Sequence, residues 1–259
     1  MLTNEFDDKN IATLTLNRPD VHNAFNAELI GELSSALDEL AQQPPRAVIV
    51  TGAGKSFSAG ADLGWMRGMA EASETENRND SERLAAMFRK LDELPCPTLA
   101  RINGAAFGGG VGLVSCCDIA IAADSAKFGL TEVRLGLIPA TIAPFVIARI
   151  GAAHARRYML TGERFGAEEA YSIGLLHETC PPESLDDRVE AVTDALLAGG
   201  PEAVSECKQL IRRVRNFVGP PDEMDATTAE WIARLRVGEE GQEGLHAFLE
   251  KREPGWRKP

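Results

Sequence analysis

Two glycine-rich turns constrain this 259-residue chain more than any other feature in it. The first is Ser58-Ala59-Gly60-Ala61-Asp62-Leu63, and the second is Asn103-Gly104-Ala105-Ala106-Phe107-Gly108-Gly109-Gly110. Each follows a β-like apolar run, at 47–50 and 98–102, and each opens into a helical pattern. Strand, tight turn and helix, twice over, argue an α/β fold. Glycine also lets backbone N–H groups approach a ligand closely. Two such turns can aim a pair of N–H donors at one oxygen. That is an oxyanion hole, and it suits chemistry on a thioester carbonyl.

The rest of the chain extends the α/β pattern. Ile11-Ala12-Thr13-Leu14-Thr15-Leu16 alternates apolar and threonine side chains, as a strand does, and Asn17-Arg18-Pro19-Asp20 reads as a turn. Leu29, Ile30, Leu33, Leu37 and Leu40 fall on one face of a helix over 27–42. Residues 46–51 form a second strand. The acidic, polar segment 70–80 reads as a loop or an exposed helix. Leu84, Met87, Phe88 and Leu91 mark an amphipathic helix over 81–94, which Pro95 and Pro97 end. A strand at 98–102, an apolar helix from Val111 and a strand at 119–122 follow. The strand spacing is irregular, so no fixed-period repeat is expected. Beyond Gly136 the strand signal fades, and helical candidates lie near 142–150, 167–173, 185–197, 201–216, 224–236 and 242–251. This helical third packs either on its own core or on a neighbouring chain. Lys251, Arg252, Arg257 and Lys258 make the tail basic, and Pro254, Trp256 and Pro259 punctuate it.

Charge and motif content exclude several classes of function. The formal net charge of -12 disfavours nucleic-acid binding. The five cysteines are odd in number and form no C-x-x-C pair, and Cys116 and Cys117 sit in an apolar run as small hydrophobes. The N-terminus shows no targeting pattern and no run reaches transmembrane length, so a cytoplasmic protein is expected, with no membrane partner. Gly52-Ala53-Gly54-Lys55-Ser56 has the G-K-S ending of a phosphate-binding loop, but Ile49 stands where that loop needs its first glycine. Gly110-x-Gly112-x-x-Ser115 imitates a dinucleotide fingerprint with its last glycine replaced. His22, His154, His177 and His246 are scattered, none at metal-ligand spacing, so no metal is expected. No G-x-S-x-G elbow is present.

One carboxylate stands out. Glu132 lies among apolar residues in Phe128-Gly129-Leu130-Thr131-Glu132-Val133-Arg134-Leu135-Gly136-Leu137-Ile138-Pro139. On its residues alone it is either a surface or ion-paired group, or an acid whose pKa an apolar pocket raises for proton exchange with carbon.

Taken together, these features resemble the enoyl-CoA hydratase/isomerase family, the crotonase superfamily. The resemblance runs from Ile11 to the end and is densest between Phe57 and Gly162. It rests on the two glycine turns, Cys117-Asp118-Ile119-Ala120, Leu160-Thr161-Gly162-Glu163-Arg164-Phe165 and residues 170–175, in the family's order and spacing.

The resemblance implies a spiral of ββα units over 1–195, carrying a CoA site and an oxyanion hole. It implies a helical oligomerisation region over 196–259, building a homotrimer or a hexamer of two paired trimers. It also implies an acyl-CoA substrate, coenzyme A being part of that substrate and no separate cofactor being needed. By position, the backbone N–H groups of Ala61 and Gly109 are the oxyanion donors, and Glu132 is the acid/base. Ala59, Asp62 and Leu63 line the CoA path. Arg18, with Lys251 or Arg252, meets CoA phosphates. Family hydratases carry a second glutamate where this chain has Gly112. With Glu132 alone, isomerisation competes with hydration. A closer resemblance, through 62–66, 108–118 and 132–142, is to bacterial methylglutaconyl-CoA hydratases and their isohexenylglutaconyl-CoA relatives, in which that glycine is usual. Their substrates carry a second carboxylate, for which Arg67 and Arg134 are candidate partners.

Overall fold

Strand and helix alternate along the chain in the computed structural model, which describes residues 1–257. Lys258 and Pro259 of the basic tail lie outside the described residues. The chain opens with strands β1 (Leu2–Phe6) and β2 (Ile11–Leu16), helix α1 (Ala27–Gln42) and strands β3 (Ala47–Gly52) and β4 (Ser56–Ser58). Helices α2 (Leu63–Glu71) and α3 (Glu74–Asp92) follow, then β5 (Thr98–Ile102), β6 (Ala105–Phe107) and α4 (Gly109–Cys116). Next come β7 (Ile119–Ala123), β8 (Lys127–Gly129), α5 (Ala143–Thr161), β9 (Arg164–Gly166), α6 (Ala167–Ser172) and β10 (Glu178–Cys180). Four helices close the chain: α7 (Leu185–Ala198), α8 (Pro201–Arg215), α9 (Pro221–Val237) and α10 (Glu239–Glu250).

The strands form two sheets. The larger has the order β1-β2-β3-β5-β7-β10, and the smaller β4-β6-β8-β9. Successive units therefore repeat one plan: a long strand in the large sheet, a short strand in the small sheet, then helix. This ββα plan governs β3-β4-α2, β5-β6-α4 and β7-β8-α5. The helices differ in length, which is why no fixed period is visible in the sequence.

Local chemistry accounts for the element ends. The Asn26 side chain caps α1 by accepting from the Leu29 N–H at 2.9 Å. Segment 70–80 is helical from Glu74, because Ser73 and Glu76 form a reciprocal capping box. The loop reading of that segment is thereby replaced. Two short strands, β9 and β10, interrupt the mostly helical region after Gly136; at three residues each they carry no periodic signal.

Both faces of the large sheet are covered. Ala12, Leu14 and Leu16 join Leu29, Leu33 and Leu37 of α1 and Met87, Phe88 and Leu91 of α3 in the main core. Ile11, Ala47, Leu99 and Ile121 point the other way and pack with Leu185 and Val189 of α7. The last three helices are different. Among residues of α8, α9 and α10, only Lys208 and Ala247 are buried. Ile211, Val214, Ile232, Val237, Leu245, Phe248 and Leu249 remain exposed.

Candidate active site

The small sheet builds the site. Strands β4, β6 and β8 run parallel, side by side. The first ends at Ser58, directly before Ala59-Gly60-Ala61, the second at Phe107, directly before Gly108-Gly109, and the third at Gly129, three residues before Glu132. Three segments far apart in sequence thus leave the same, carboxyl-terminal edge of one sheet. In open α/β sheets that edge is where ligands bind.

The glycines let the turns interlock. A Cβ at Gly60, where φ is +85°, would stand 2.7 Å from the Phe107 carbonyl oxygen and 3.6 Å from the Gly109 nitrogen. A Cβ at Gly110 would stand 2.5 Å from the Ser58 carbonyl oxygen. Only glycine permits this approach of backbone to backbone, and it brings the Gly109 amide beside the Gly60–Ala61 segment.

Both amides are left free. Phe25 donates its N–H to the Gly60 carbonyl at 2.6 Å, and Asp62 donates to the Phe25 carbonyl at 2.8 Å. That bridge straddles Ala61 and leaves the Ala61 N–H without an acceptor among the described residues. Gly109 is the first residue of α4, where an N–H has no intrahelical partner. The positive end of the helix dipole adds to its pull on a developing negative charge.

Glu132 opens a 3-10 turn, Glu132–Leu135, directly beyond β8. Its Oε1 would stand 2.9 Å from a Cβ placed on Gly108. The carboxylate therefore lies against the second glycine turn. Its Oε2 is buried and has no hydrogen-bond partner among the described residues. Burial pushes the Glu132 carboxyl above the ordinary glutamate range, only partly opposed by its own backbone N–H. A half-buried acid of raised pKa, beside two unpaired N–H donors, can move a proton at a carbon next to a polarised carbonyl.

Asp62 and Arg18 brace the first turn. Asp62 caps α2, accepting from the N–H groups of Gly64 at 2.8 Å and Trp65 at 3.2 Å. It also pairs with Arg18 at 3.0 Å. Burial acts to raise the Asp62 pKa, but those two N–H donors and the guanidinium prevail and hold it low. Arg18 donates further to the Ala24 carbonyl. Its guanidinium clamps the turn in this structure and does not stand as a free cation for phosphate. Ala59 is half-buried and donates to the His22 carbonyl at 2.9 Å, while Leu63 is 79% exposed at the start of α2.

The two basic residues of the last helix are not brought to these turns within one chain. Lys251 is the left-handed C-cap of α10. Arg252 pairs with Glu243 at 2.7 Å and Glu250 at 2.8 Å, contacts that keep it on its own helix. Arg67 and Arg134 are exposed, and neither makes an ion pair among the described residues. Arg134 lies along Gly162.

Three supporting residues escaped sequence reading. Asn23 is fully buried, accepts from the Arg18 N–H at 2.8 Å, and donates to the carbonyls of Ala53 and Ser56 at 2.9 and 2.8 Å. It ties the N-terminal turn to the first glycine turn. Ser58 is also fully buried and donates to the Asn23 carbonyl at 2.9 Å. Trp65 buries an indole N–H with no partner, one turn from Ala61. The positive φ of His22 and Asn23, 53° and 55°, is a backbone signal that Asn23 advertises, because asparagine tolerates it.

A family model described as enoyl-CoA hydratase/isomerase matches residues 7–259. The chain is 33% identical over 248 residues to a crotonyl-CoA hydratase of Syntrophomonas wolfei, covering 95% of this chain and 94% of that one. It is 33% identical over 248 residues to a short-chain-enoyl-CoA hydratase of Clostridium acetobutylicum, covering 93% and 92%. The crystal structure of an enoyl-CoA hydratase from Shewanella pealeana superimposes with a TM-score of 0.94 at 42% identity, over 98% of this chain and 95% of that one.

Proposed function

This chain belongs to the enoyl-CoA hydratase/isomerase family, and we propose that within it the protein reversibly hydrates a branched, carboxylated enoyl-CoA. The substrate that fits best is 3-methylglutaconyl-CoA, hydrated to 3-hydroxy-3-methylglutaryl-CoA in leucine breakdown. The reading is carried by one observation: a single half-buried carboxylate, Glu132, lies against the turn that presents the Gly109 amide.

In this mechanism the thioester oxygen sits between the Ala61 and Gly109 N–H groups. Their pull draws electron density from the double bond and leaves Cβ electrophilic. Glu132 as carboxylate takes a proton from water while the water oxygen bonds to Cβ. The π pair moves onto the thioester oxygen as an enolate, which the two N–H groups stabilise. Glu132 then returns its proton to Cα, and the net change is addition of one water. The raised pKa suits both halves of the cycle, since the acid form must be accessible near neutral pH.

Ala59, Asp62 and Leu63 line the path of the CoA moiety. Lys251 or Arg252 would reach the CoA phosphates from a neighbouring protomer, with residues 196–259 forming the contact that builds a trimer or a hexamer. The substrate's second carboxylate calls for a cation, and Arg67 and Arg134 are exposed with no ion-pair partner among the described residues. A cytoplasmic location belongs to the same proposal.

The single carboxylate also favours a second reading, Δ3-Δ2 enoyl-CoA isomerisation, in which Glu132 shuttles one proton between carbons. Isohexenylglutaconyl-CoA is the alternative hydration substrate. Incubation with 3-methylglutaconyl-CoA separates these. Loss of the conjugated thioester absorbance, with a product heavier by one water, is the expected result. An unchanged spectrum, together with conversion of a 3-enoyl-CoA to its conjugated isomer, would replace hydration by isomerisation.

A further inference from the structure

Gly112 is not merely a missing side chain; its place is filled. A Cβ on Gly112 would stand 2.4 Å from Ile142 Cγ2 and 3.0 Å from two ring carbons of Phe88. Real carbon contacts do not come so close, so something would have to shift. Neither neighbour is a loose end. Ile142 is 2% exposed and Phe88 is 0% exposed. Phe88 is wedged edge-on against Phe25 at 6.2 Å and tilted against Phe145 at 6.2 Å. The same aromatic ring lies under Gly109, whose Cβ would stand 2.8 Å from Phe25 and 3.7 Å from Phe88.

Gly112 lies one turn along α4 from Gly108 and donates its N–H to the Gly108 carbonyl at 3.1 Å. Gly108 is the non-helical N-cap of α4 and lies against the Glu132 carboxylate, whereas position 112, four residues along, meets the hydrocarbon of Ile142 and Phe88.

We infer that Ile142, backed by Phe88, is the positioning residue that holds this site to one carboxylate. It occupies the volume an acidic side chain on α4 would need, and so leaves Glu132 as the only proton carrier. The inference rests on the hydration reading for its assay, but its packing core does not. Replacing Gly112 by an acid is then insufficient; the wall must be opened first.

The experiment uses the full chain and five proteins: wild type, Gly112→Ala, Ile142→Ala, Gly112→Ala/Ile142→Ala and Gly112→Glu/Ile142→Ala. Gly112→Ala is expected to lower the melting temperature by about 5 °C through overpacking. In the Ile142→Ala background the same change should cost clearly less, with only the Phe88 contact remaining, a non-additivity that marks direct contact. Additive losses, or no loss from Gly112→Ala alone, would overturn the inference.

The second readout is catalytic. Against unbranched crotonyl-CoA, Gly112→Glu/Ile142→Ala should hydrate on the order of 10-fold faster than Ile142→Ala, as a second acid/base group contributes. Its kcat/KM profile should show two acidic ionisations where Ile142→Ala shows one. A folded double variant with one ionisation and no gain would also overturn the inference. Failure of the wild type on 3-methylglutaconyl-CoA would count against the substrate reading alone, because the melting-temperature coupling does not depend on any substrate.

Discussion

At the scale of single residues, Glu132 is the carboxylate whose surroundings satisfy it least. Its Oε2 is buried without a partner, and burial raises its pKa. A carboxyl whose folded pKa exceeds its unfolded value favours the protonated fold. That contribution is fully present below the unfolded pKa and is lost as pH rises through the raised folded value. Glu132→Gln removes the penalty of the charged form. The variant should therefore melt higher than wild type at pH 7.5 and no higher near pH 4, as read by calorimetry. It should also lose activity by roughly 10²- to 10⁴-fold, since no other acid stands at this turn. A variant that is no more stable at pH 7.5 would show that water or another group already solvates Glu132.

The apolar neighbours of Glu132 left it open between a surface group and a buried acid, and only the family resemblance implied the acid/base role. Its position was not legible in the sequence. Gly108 and Glu132 are far apart in the chain, and only the parallel pairing of β6 and β8 sets them together. Arg18 shows the opposite case. The family resemblance implied a CoA phosphate as its partner, and within this chain Asp62 and the Ala24 carbonyl engage it. A cation beside a half-buried carboxylate pairs with that carboxylate first.

At the scale of elements, the long pieces were legible and the short ones were not. Strand 11–16 and helix 27–42 emerge at the residues the hydrophobic pattern marks. Five strands of three residues, β4, β6, β8, β9 and β10, carry too few positions to show alternation. Four of these make the small sheet from which the site is built.

Helix α8 illustrates how an element is fixed by one buried contact. Lys208, 8% exposed, pairs with Asp118 at 2.7 Å and donates to the Cys96 carbonyl at 3.1 Å. Asp118 accepts in turn from the Thr98 N–H at 2.8 Å and its hydroxyl at 2.9 Å. The helix is thereby pinned to the start of β5. Lys208→Met leaves Asp118 partly uncompensated and should reduce unfolding free energy by about 2 kcal/mol in a urea titration. No change in the urea midpoint would mean that water replaces the ammonium at no cost.

At the scale of the whole molecule, one chain leaves a surface unfinished. Ile211, Val218, Leu245, Phe248 and Leu249 are exposed on or beside helices that bury almost nothing themselves. Large apolar side chains left exposed on helices that bury so little are what the proposed contact with another copy would cover. The proposed assembly predicts a mass three or six times that of one chain by light scattering. Phe248→Asp should shift the protein toward smaller species; a monomeric wild type would remove residues 196–259 from that role.

Sequence alone determined the chemistry on offer: two turns that only glycine can make, a helix beginning at each, and one carboxylate in apolar company. These are local properties, set by allowed φ and by neighbours within a few residues. Tertiary structure decided how that chemistry is combined. Three short parallel strands bring the turns and Glu132 to one edge. Ile142 and Phe88, from elements remote in the chain, close the space beside Gly112. Pairing between distant strands and occupancy by distant side chains depend on where the whole chain folds back, so no local pattern encodes them.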